Sequence, residues 1–448
     1  MRKCALLFSL FCLLMMELPA QVLPLRVQAR VIDELLGERL DSLLPSLMQK
    51  NEVDMWVVVS REYNEDPVLK TMLPATWLSA RRRTILVFYN NPAKKQYEKI
   101  AIARYDVGDH IRAGWDMQRF PNQWDALLEI ITRLNPRNIA LDYSTSFAHA
   151  DGLDHTEYTE LVSKLPGAFK SRVVSAEKLA IAWLETRTAR EMEIYPRLVD
   201  ITHRIIEEGF SDRVITAGIT STEDLVWWFR QKIRDMGLDT WFHPSVSIQR
   251  DDSTRFDHLA SFSKSTGEDI IREGDLLHVD IGITYLRLNT DIQEHAYVLR
   301  HGETALPLSL QKAFASANRL QEILTGQFKE GKTGNQILHD ALAQANQEGI
   351  HSSIYTHPLG YHGHAAGPTI GLWDQQQGVP GAGDFPVHNH TVYSIELNAA
   401  SRIPEWNKEV RMMLEEDGYF DEKGFRFISG RQKEVYVIPR LPSNIFIQ

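Results

Sequence analysis

Residues 276–300, with the sequence LLHVDIGITYLRLNTDIQEHAYVLR, decide the fold prediction. Polar and apolar residues alternate on both sides of a short turn, which is typical of two paired strands whose side chains point to opposite faces. His278 and Asp280 share a face of the first strand, and Asp291, Gln293 and His295 share a face of the second. Carboxylates placed among Leu, Val and Ile repel each other and resist desolvation unless a cation lies between them. The stretch therefore predicts a cation between the two aspartates, with further ligands supplied from elsewhere in the chain.

The composition is that of a soluble globular protein with room for two domains. The chain has 448 residues, of which 24% are charged and 43% hydrophobic. A chain of this length can bury two complete hydrophobic cores. Its net charge of −10 and the absence of a basic stripe argue against nucleic acid as a partner.

The first residues are typical of a secretory signal peptide. Met1, Arg2 and Lys3 precede the 13-residue apolar run CALLFSLFCLLMM, which is too short to span a bilayer, and the small residue Ala20 follows. A buried core helix is the alternative. We expect residues 1–20 to be removed, so that the mature protein is exported, periplasmic or secreted, and has no membrane contact after cleavage.

Both cysteines of the chain, Cys4 and Cys12, lie within this predicted signal peptide. The mature protein would then contain no cysteine. We therefore expect no disulfide, no thiolate ligand and no cysteine nucleophile.

Residues 21–180 are predicted to form an α/β domain, and residues 181–448 are predicted to form a second, α+β domain. Apolar, β-rich runs in the first domain predict strands at Met55–Val59, Thr84–Tyr89, Ile100–Tyr105, Ile139–Tyr143 and Arg172–Val174. Helical patterns occur at Asn122–Leu134, His155–Leu165, Ser221–Met236, Leu308–Phe328 and Gly334–Glu348. A helical stretch over Lys178–Gly209 joins the domains, and Pro196 is expected to break or kink it. The segment Gly371–Asn389, rich in Gly, Pro and Gln, is predicted to be a long loop.

Three later segments supply further candidate ligands. THPLGYHGHAAGP (residues 356–368) contains three histidines, TVYSIELNAA (residues 391–400) places Glu396 in an apolar strand, and VRMMLEEDGYF (residues 410–420) ends another apolar strand with Glu415 and Glu416. Four carboxylates and one neutral imidazole carry a charge of −4, which two divalent cations would neutralise. If these residues converge, a dinuclear metal site is the expected result.

These motifs resemble the pita-bread metallopeptidase family, which includes methionine aminopeptidase, aminopeptidase P and prolidase. The resemblance covers about residues 185–429, and the preceding α/β region resembles the N-terminal domain of aminopeptidase P, prolidase and creatinase. The family's metal ligands match, in chain order, Asp280 in HVDIG, Asp291 in NTDIQ, His357 in HPLG, Glu396 in SIEL and Glu415 in LEEDGYF. The family's substrate-contacting histidine, seven residues after the ligand histidine, matches His364.

The chain departs from the family pattern at several positions. Pro358 follows the matched histidine, where glycine is usual, and Leu397 follows the matched strand glutamate, where proline is usual. His362 is an alternative to His357 as the ligand, and the alternatives to Glu415 are Glu416 and Glu434. The family's substrate-facing histidine upstream of the first aspartate matches His258, although the intervening segment is longer than usual.

The resemblance implies a peptidase that uses two divalent metal ions, manganese being the expected metal and zinc, cobalt or iron(II) the alternatives. It further implies that Glu396 transfers a proton from water and that His364 and His258 bind substrate and stabilise the oxyanion. Tyr361, Trp373 and Tyr393 are candidate walls for a proline ring, with an ordinary core position as the alternative for each.

The two-domain layout favours removal of an N-terminal residue before proline, as in an Xaa-Pro aminopeptidase. A prolidase-like Xaa-Pro dipeptidase, a metal-free creatinase-like hydrolase and a non-catalytic peptide-binding protein are the alternatives. The expected partner is a peptide substrate, and relatives with this layout suggest a homo-oligomer.

Overall fold

The structure, a computed structural model, describes residues 22–253 and 269–440. The predicted signal peptide, both cysteines and His258 lie outside these residues. Within the described ranges, no helix combines the length and the apolar character needed to cross a membrane.

The first part of the chain forms one six-stranded sheet covered by helices. Its strands are β1 (Met55–Arg61), β2 (Arg83–Asn91), β3 (Gln96–Ile102), β4 (Arg112–Ala113), β5 (Ile139–Leu141) and β6 (Val173–Ser175). Their order is β4-β3-β2-β1-β5-β6; the β1–β2 and β2–β3 pairs are antiparallel, and the other neighbours are parallel. Apolar residues of β1 and β2 are buried on both faces of the sheet, as expected for central strands.

The structure describes six helices in this part, and three of them begin after a polar capping residue. They are α1 (Leu25–Glu38), α2 (Leu44–Lys50), α3 (Pro67–Met72), α4 (Gln123–Leu134), α5 (His155–Lys164) and α6 (Gly167–Lys170), with a π-helical turn at Arg39–Leu43 between the first two. Asp66, Asn122 and Asp154 accept hydrogen bonds from free backbone N–H groups at the starts of α3, α4 and α5.

The predicted third strand was displaced: β3 begins at Gln96, four residues before the predicted start, and ends at Ile102. Its first five residues are only partly buried and include Glu98 and Lys99, so the first half of the strand lacks the apolar pattern that identifies a strand.

Two helices, α7 (Glu177–Glu185) and α8 (Ala189–Gly209), connect the two parts of the chain. Pro196 was predicted to break or kink this stretch; it does not break it, because α8 continues through Pro196, and the kink stays a prediction. The interruption lies instead at residues 186–188, where Thr188 forms a capping box with Glu191 at the start of α8. The predicted domain boundary at residues 180 and 181 falls within α7 and stays a prediction.

The second part contains small, mainly antiparallel sheets. Their strands are β7 (Ser245–Gln249), β8 (Leu276–Ile281), β9 (Thr284–Tyr285), β10 (Leu288–Asn289), β11 (Ile292–Val298), β12 (His351–Ile354), β13 (His357–Leu359), β14 (Thr391–Ser394), β15 (Leu397–Ile403), β16 (Lys408–Leu414), β17 (Asp417–Asp421), β18 (Gly424–Phe427) and β19 (Tyr436–Ile438). The sheet orders are β19-β11-β8-β7, β12-β15-β16, β13-β14-β17-β18 and β10-β9. The predicted α/β architecture followed by an α+β architecture is therefore confirmed.

Three helices pack with these sheets at positions close to the predicted ones. They are α9 (Thr222–Asp235), α10 (Leu308–Thr325) and α11 (Gly334–Gln347). Buried apolar residues of α10 and α11 form a core with those of β15 and β16. The segment Gly371–Asn389 is irregular apart from one short 3₁₀ turn, Ala382–Asp384, as predicted.

The hairpin predicted at residues 276–300 is confirmed. Strands β8 and β11 are antiparallel, and their register places Asp280 opposite Gln293 and His278 opposite His295. The short β9–β10 ribbon forms the end of the hairpin. Asp291 lies between β10 and β11, at the end where β8 finishes with Ile281.

A second long hairpin crosses between two sheets. Strands β14 and β17 pair in one sheet, β15 and β16 pair in the next, and the chain passes between the sheets at Ile395–Glu396 on one strand and Glu415–Glu416 on the other. The Ile395 N–H donates to the carbonyl of Glu416 at 2.9 Å, so the two crossings lie side by side. This arrangement places Glu396 and Glu415 next to each other.

Candidate metal centre

The predicted ligands converge in the interior of the second part. Ligand-type atoms of Asp280, Asp291 and Glu415 lie within 4.8 Å of one another, and the same holds for His357, Glu396 and Glu415. Glu415 belongs to both groups, so the two groups form one cluster of four carboxylates and one imidazole. The structure thus brings together the five residues that the sequence motifs suggested.

The five side chains of the cluster come from different strands, and the pairing of these strands positions them. A pair of backbone hydrogen bonds joins the two hairpins, from Gln293 N–H to Glu415 O at 3.0 Å and from Glu415 N–H to Gln293 O at 3.2 Å. His357 is the first residue of β13 and lies opposite Ser394 of β14, two residues before Glu396. Because the positions depend on strand pairing, their spacing is set by backbone hydrogen bonds.

His357 is oriented as a metal-binding histidine would be. Its Nδ1 lies 3.0 Å from the backbone carbonyl of Pro358, which selects the tautomer with the proton on Nδ1. Its Nε2 is buried and has no hydrogen-bond partner, 3.6 Å from Asp291 Oδ2 and 3.7 Å from Glu415 Oε1. The free lone pair of Nε2 therefore points toward carboxylates, where a cation would fit.

The carboxylates cannot all remain charged without a cation. Burial, reinforced by the nearby Glu415 carboxylate, raises the pKa of Asp280, of Asp291 and of Glu396 well above the ordinary value for each. Asp280 Oδ1 and Asp291 Oδ1 are buried without any hydrogen-bond partner. Unpartnered buried oxygens are costly unless they bind a cation, so the residues present fit divalent metal ions.

Three further residues hold the carboxylates in place. One amide nitrogen, Gln293 Nε2, donates to Glu396 Oε1 at 2.9 Å and to Glu415 Oε2 at 2.6 Å. Ser394 Oγ donates to Glu415 Oε1, and Asp417 Oδ1 accepts from the Asp291 backbone N–H at 3.2 Å. Gln293 was predicted to share a strand face with Asp291 but not to hold a ligand, and Ser394 and Asp417 were not predicted to belong to the site.

His364 lies beside the cluster at its solvent-exposed side. Its ring centroid is 4.6 Å from that of His357, and one of its ring nitrogens lies within 4.8 Å of a carboxylate oxygen of Asp291 and of a ring nitrogen of His357. The ring also contacts Trp241 edge to face at 5.1 Å, and its Nε2 is 3.4 Å from the Tyr355 hydroxyl. Partial burial and the adjacent His357 lower the pKa of His364 to about 4. A neutral imidazole is therefore present at the entrance of the cluster.

The alternative ligands lie elsewhere. His362 stacks on His149 of the first part, with ring centroids 4.3 Å apart, and belongs to no ligand-type cluster of the described residues. Glu416 points to the opposite side of its strand and pairs with His203 at 2.9 Å. Glu434 is exposed on the loop before β19. The structure therefore brings His357 and Glu415, and not these alternatives, to the cluster.

The aromatic residues suggested as walls for a proline ring differ in their surroundings. The Tyr361 hydroxyl donates to Glu191 at 3.0 Å, and its ring lies under the guanidinium groups of Arg39 and Arg187. Tyr393 is fully buried and packs on Phe328, so it holds an ordinary core position. Trp373 is 44% exposed within the Gly371–Asn389 loop. The substrate-binding roles of Tyr361 and Trp373 stay predictions, as does that of His258.

Comparison with known proteins gives one family match and several likenesses of fold. Residues 194–427 match the family model described as metallopeptidase family M24. No curated protein sequence matches this chain significantly. Among solved structures, an X-Pro aminopeptidase from Thermotoga maritima has a TM-score of 0.60 at 16% identity, covering 88% of this chain and 99% of that chain. A putative aminopeptidase P from Bacillus anthracis has a TM-score of 0.61 at 12% identity, covering 89% of this chain and 96% of that chain. An Xaa-Pro dipeptidase from the same organism has a TM-score of 0.57 at 16% identity, covering 91% of this chain and 99% of that chain.

Proposed function

This chain belongs to metallopeptidase family M24, and from that premise we propose that it is a dinuclear Xaa-Pro aminopeptidase acting on the N-termini of peptides. Membership of the family makes the protein a hydrolase with a peptide as its substrate. The fold is the pita-bread fold preceded by an α/β domain, as in the solved Xaa-Pro peptidases it resembles.

The observation that supports two metal ions is the donor set of the cluster. Asp280, Asp291, His357, Glu396 and Glu415 are the proposed ligands. Three of their buried donor atoms, Asp280 Oδ1, Asp291 Oδ1 and His357 Nε2, have no other partner. Oxygen-rich ligation with a single imidazole suits manganese, which we propose as the metal, and zinc, cobalt and iron(II) remain the alternatives.

When bound, two divalent cations polarise the scissile carbonyl and lower the pKa of a water molecule toward neutrality. We assign Glu396 to accept the proton of that water and to deliver it to the leaving nitrogen. Its Oε1 is fixed by Gln293, so the carboxylate is held in one orientation within the cluster. A neutral His364 would bind substrate and, from its N–H, donate a hydrogen bond to the developing oxyanion. The same role for His258 rests on the sequence resemblance alone.

The choice of substrate rests on the two-domain layout. Solved structures named X-Pro aminopeptidase, aminopeptidase P and Xaa-Pro dipeptidase all match this chain over both of its parts. At the identities found, these likenesses establish the fold alone, so the peptide specificity of this chain is part of the proposal. The Xaa-Pro dipeptidase activity is the second candidate, because a structure of that name also matches this chain, with a TM-score of 0.57.

We propose further that the enzyme is exported, on the strength of the charged start and apolar run of residues 1–20. We also propose a homo-oligomer, on the sole ground that relatives with this two-domain layout commonly form one.

Hydrolysis of matched peptides tests the specificity. The purified mature protein, loaded with Mn²⁺, would be given Xaa-Pro, Xaa-Pro-Yaa and Xaa-Ala-Yaa that share the same Xaa and Yaa. We expect cleavage of Xaa-Pro-Yaa and not of Xaa-Ala-Yaa, with the free amino acid Xaa as a product. Preferential cleavage of the Xaa-Pro dipeptide would establish the dipeptidase instead. Equal cleavage of the proline and alanine peptides would refute proline specificity.

A further inference from the structure

A second cluster of ligand-type residues lies apart from the candidate metal centre. It consists of His203 on α8, Glu294 on β11 and Glu416 at the crossing between β16 and β17. One ligand-type atom from each residue lies within 4.8 Å of the others. The three residues lie on three separate elements, and the tertiary fold brings them together.

This cluster occupies the opposite face of the strands that carry the first one. Neighbouring residues in extended chain point to opposite sides. Gln293 and Glu415 face the candidate metal centre, and their direct neighbours Glu294 and Glu416 face His203. The two clusters thus share backbone segments and no side chain.

The donor atoms of this cluster are mostly buried and incompletely paired. Glu294 is 2% exposed, and its Oε2 has no hydrogen-bond partner. Glu416 is fully buried; its Oε1 accepts from the Gln432 backbone N–H at 2.7 Å, and its Oε2 lies 2.9 Å from His203 Nε2. His203 is partly exposed, with 20% of its side-chain surface accessible. The imidazole therefore lies between bulk water and the two buried carboxylates.

A buried oxygen of Glu294 is the feature of the cluster that calls for a ligand. His203 Nε2 pairs with Glu416 Oε2, which leaves Glu294 Oε2 without a hydrogen-bond partner, and a cation held by all three side chains would satisfy that oxygen. We propose that His203, Glu294 and Glu416 bind a single divalent transition-metal ion at a site distinct from the candidate dinuclear centre. One imidazole and two carboxylates form a donor set that Zn²⁺ accepts in proteins. The ion would join α8 to β11 and to the β16–β17 crossing. The proposal does not depend on the peptidase activity.

Counting and locating Zn²⁺ tests this site. Wild-type protein and the Glu294→Gln variant, both without a tag, would be stripped with chelator, loaded with Zn²⁺, passed through a desalting column and analysed for metal content. We expect the variant to retain one Zn²⁺ fewer per chain than the wild type. The Glu207→Gln variant is the matched control, since Glu207 is an exposed carboxylate one turn further along α8, paired with Arg440. It should retain the wild-type number.

Equal Zn²⁺ content in the wild type and the Glu294→Gln variant would overturn the proposal. If that variant does not fold, anomalous diffraction at the zinc edge from wild-type crystals decides the question. A peak between His203, Glu294 and Glu416 supports the site, and its absence at saturating Zn²⁺ overturns it. Neither readout uses turnover, so failure of this site is distinguishable from failure of the proposed peptidase function.

Discussion

The amide of Gln293 connects two carboxylates of the candidate metal centre. Its Nε2 donates to Glu396 and to Glu415, and its Oε1 lies 2.8 Å from His278 Nε2, which fixes the orientation of the amide. A side chain that holds two proposed ligands at once restricts both to the geometry that a metal requires. Gln293 is therefore a positioning residue.

Replacing Gln293 by Leu is expected to weaken metal binding about 10- to 100-fold, the usual range for loss of a group that orients ligands. The measurement is calorimetric titration of chelator-stripped protein with Mn²⁺. The control is Gln347→Leu, at an exposed glutamine that ends α11. Unchanged Mn²⁺ affinity in the Gln293 variant would show that the amide does not position the ligands.

The Glu396→Gln substitution is expected to lower kcat/KM for an Xaa-Pro-Yaa peptide by at least about 10²-fold, because an amide cannot accept the proton from water. Steady-state kinetics at saturating Mn²⁺ measures this loss. Glu434→Gln, at the exposed glutamate that the sequence left as an alternative ligand, should retain wild-type kinetics. Substantial activity in the Glu396 variant would remove Glu396 from the proposed mechanism.

The residues of the cluster could be predicted from sequence because each lies in a short local motif. Asp280 and Asp291 were recognisable as a pair from alternation in the hairpin, whereas the assignment of Glu396 depended on the family resemblance. Ser394 and Asp417 carry no such signal. Their partners are fixed by pairing between strands that are distant in the sequence, and a serine or aspartate in a strand has many ordinary explanations.

The junction between α7 and α8 shows how one buried side chain divides a helical stretch. Arg39, from the π-helical turn of the first part, donates to the carbonyl oxygens of Trp183 and Thr186 at the end of α7. These are carbonyls that a helix terminus leaves without a helical partner. Arg39 also pairs with Glu191 at 2.9 Å, both side chains being fully buried. The helix thus ends where a distant arginine binds its carbonyls.

Substitution of Arg39 by Met should lower the free energy of unfolding by about 1.5–3 kcal/mol, because it removes a charged hydrogen bond to the buried Glu191, which keeps Arg187 as its second partner at 3.5 Å. Chemical denaturation followed by circular dichroism measures the change. Arg319→Met, which breaks an exposed ion pair with Glu348, should change stability little. Equal stabilities of the two variants would contradict a structural role for the buried pair.

Helices and strands could be predicted where a local pattern was strong, as for the hairpin at residues 276–300 and the capped helix α9. The break at residues 186–188 was missed, although the Thr188–Glu191 capping box is a local signal for a helix start; its other contributor, Arg39, lies about 150 residues earlier in the chain. Pro196 was a stronger local signal for a helix break than residues 186–188, but α8 packs against its neighbours and continues through this proline.

Across the whole molecule, the metal-free cluster should make stability depend on pH. The raised pKa values of Asp280, Asp291 and Glu396 mean that the folded, metal-free protein binds more protons than the unfolded chain above about pH 4. The contribution of these three carboxyl groups to the free energy of unfolding is fully present below about pH 4. It is lost as the pH rises through their raised pKa values in the folded protein. Bound divalent cations would replace those protons.

The Tm of chelator-stripped protein should therefore fall relative to that of Mn²⁺-loaded protein as the pH increases from about 5 to about 8. Differential scanning calorimetry of the two forms in the same buffers measures the gap in Tm, and the loaded form controls for all other titrating groups. A gap that stays constant or narrows over this range would show that the cluster does not titrate as described.

Single side chains make contacts between the two parts of the molecule. His149 stacks on His362, and Arg287 donates to the backbone carbonyl of Leu73 at 2.7 Å. The α/β character of the first part followed from its pattern of apolar runs, and the α+β pita-bread fold of the second part was implied by the family resemblance. These contacts could not be predicted, since single side chains on loops carry no pattern that indicates their partner.

Metal dependence of proline-peptide cleavage tests the central claim most directly. The purified mature protein would be stripped with chelator until its metal content is negligible, and hydrolysis of an Xaa-Pro-Yaa peptide would be followed as Mn²⁺ is returned. We predict no cleavage by the stripped protein and full recovery once the five-residue cluster is loaded, with no recovery in the Glu396→Gln variant. Undiminished cleavage by the metal-free protein would contradict the assignment of this cluster as a dinuclear peptidase centre.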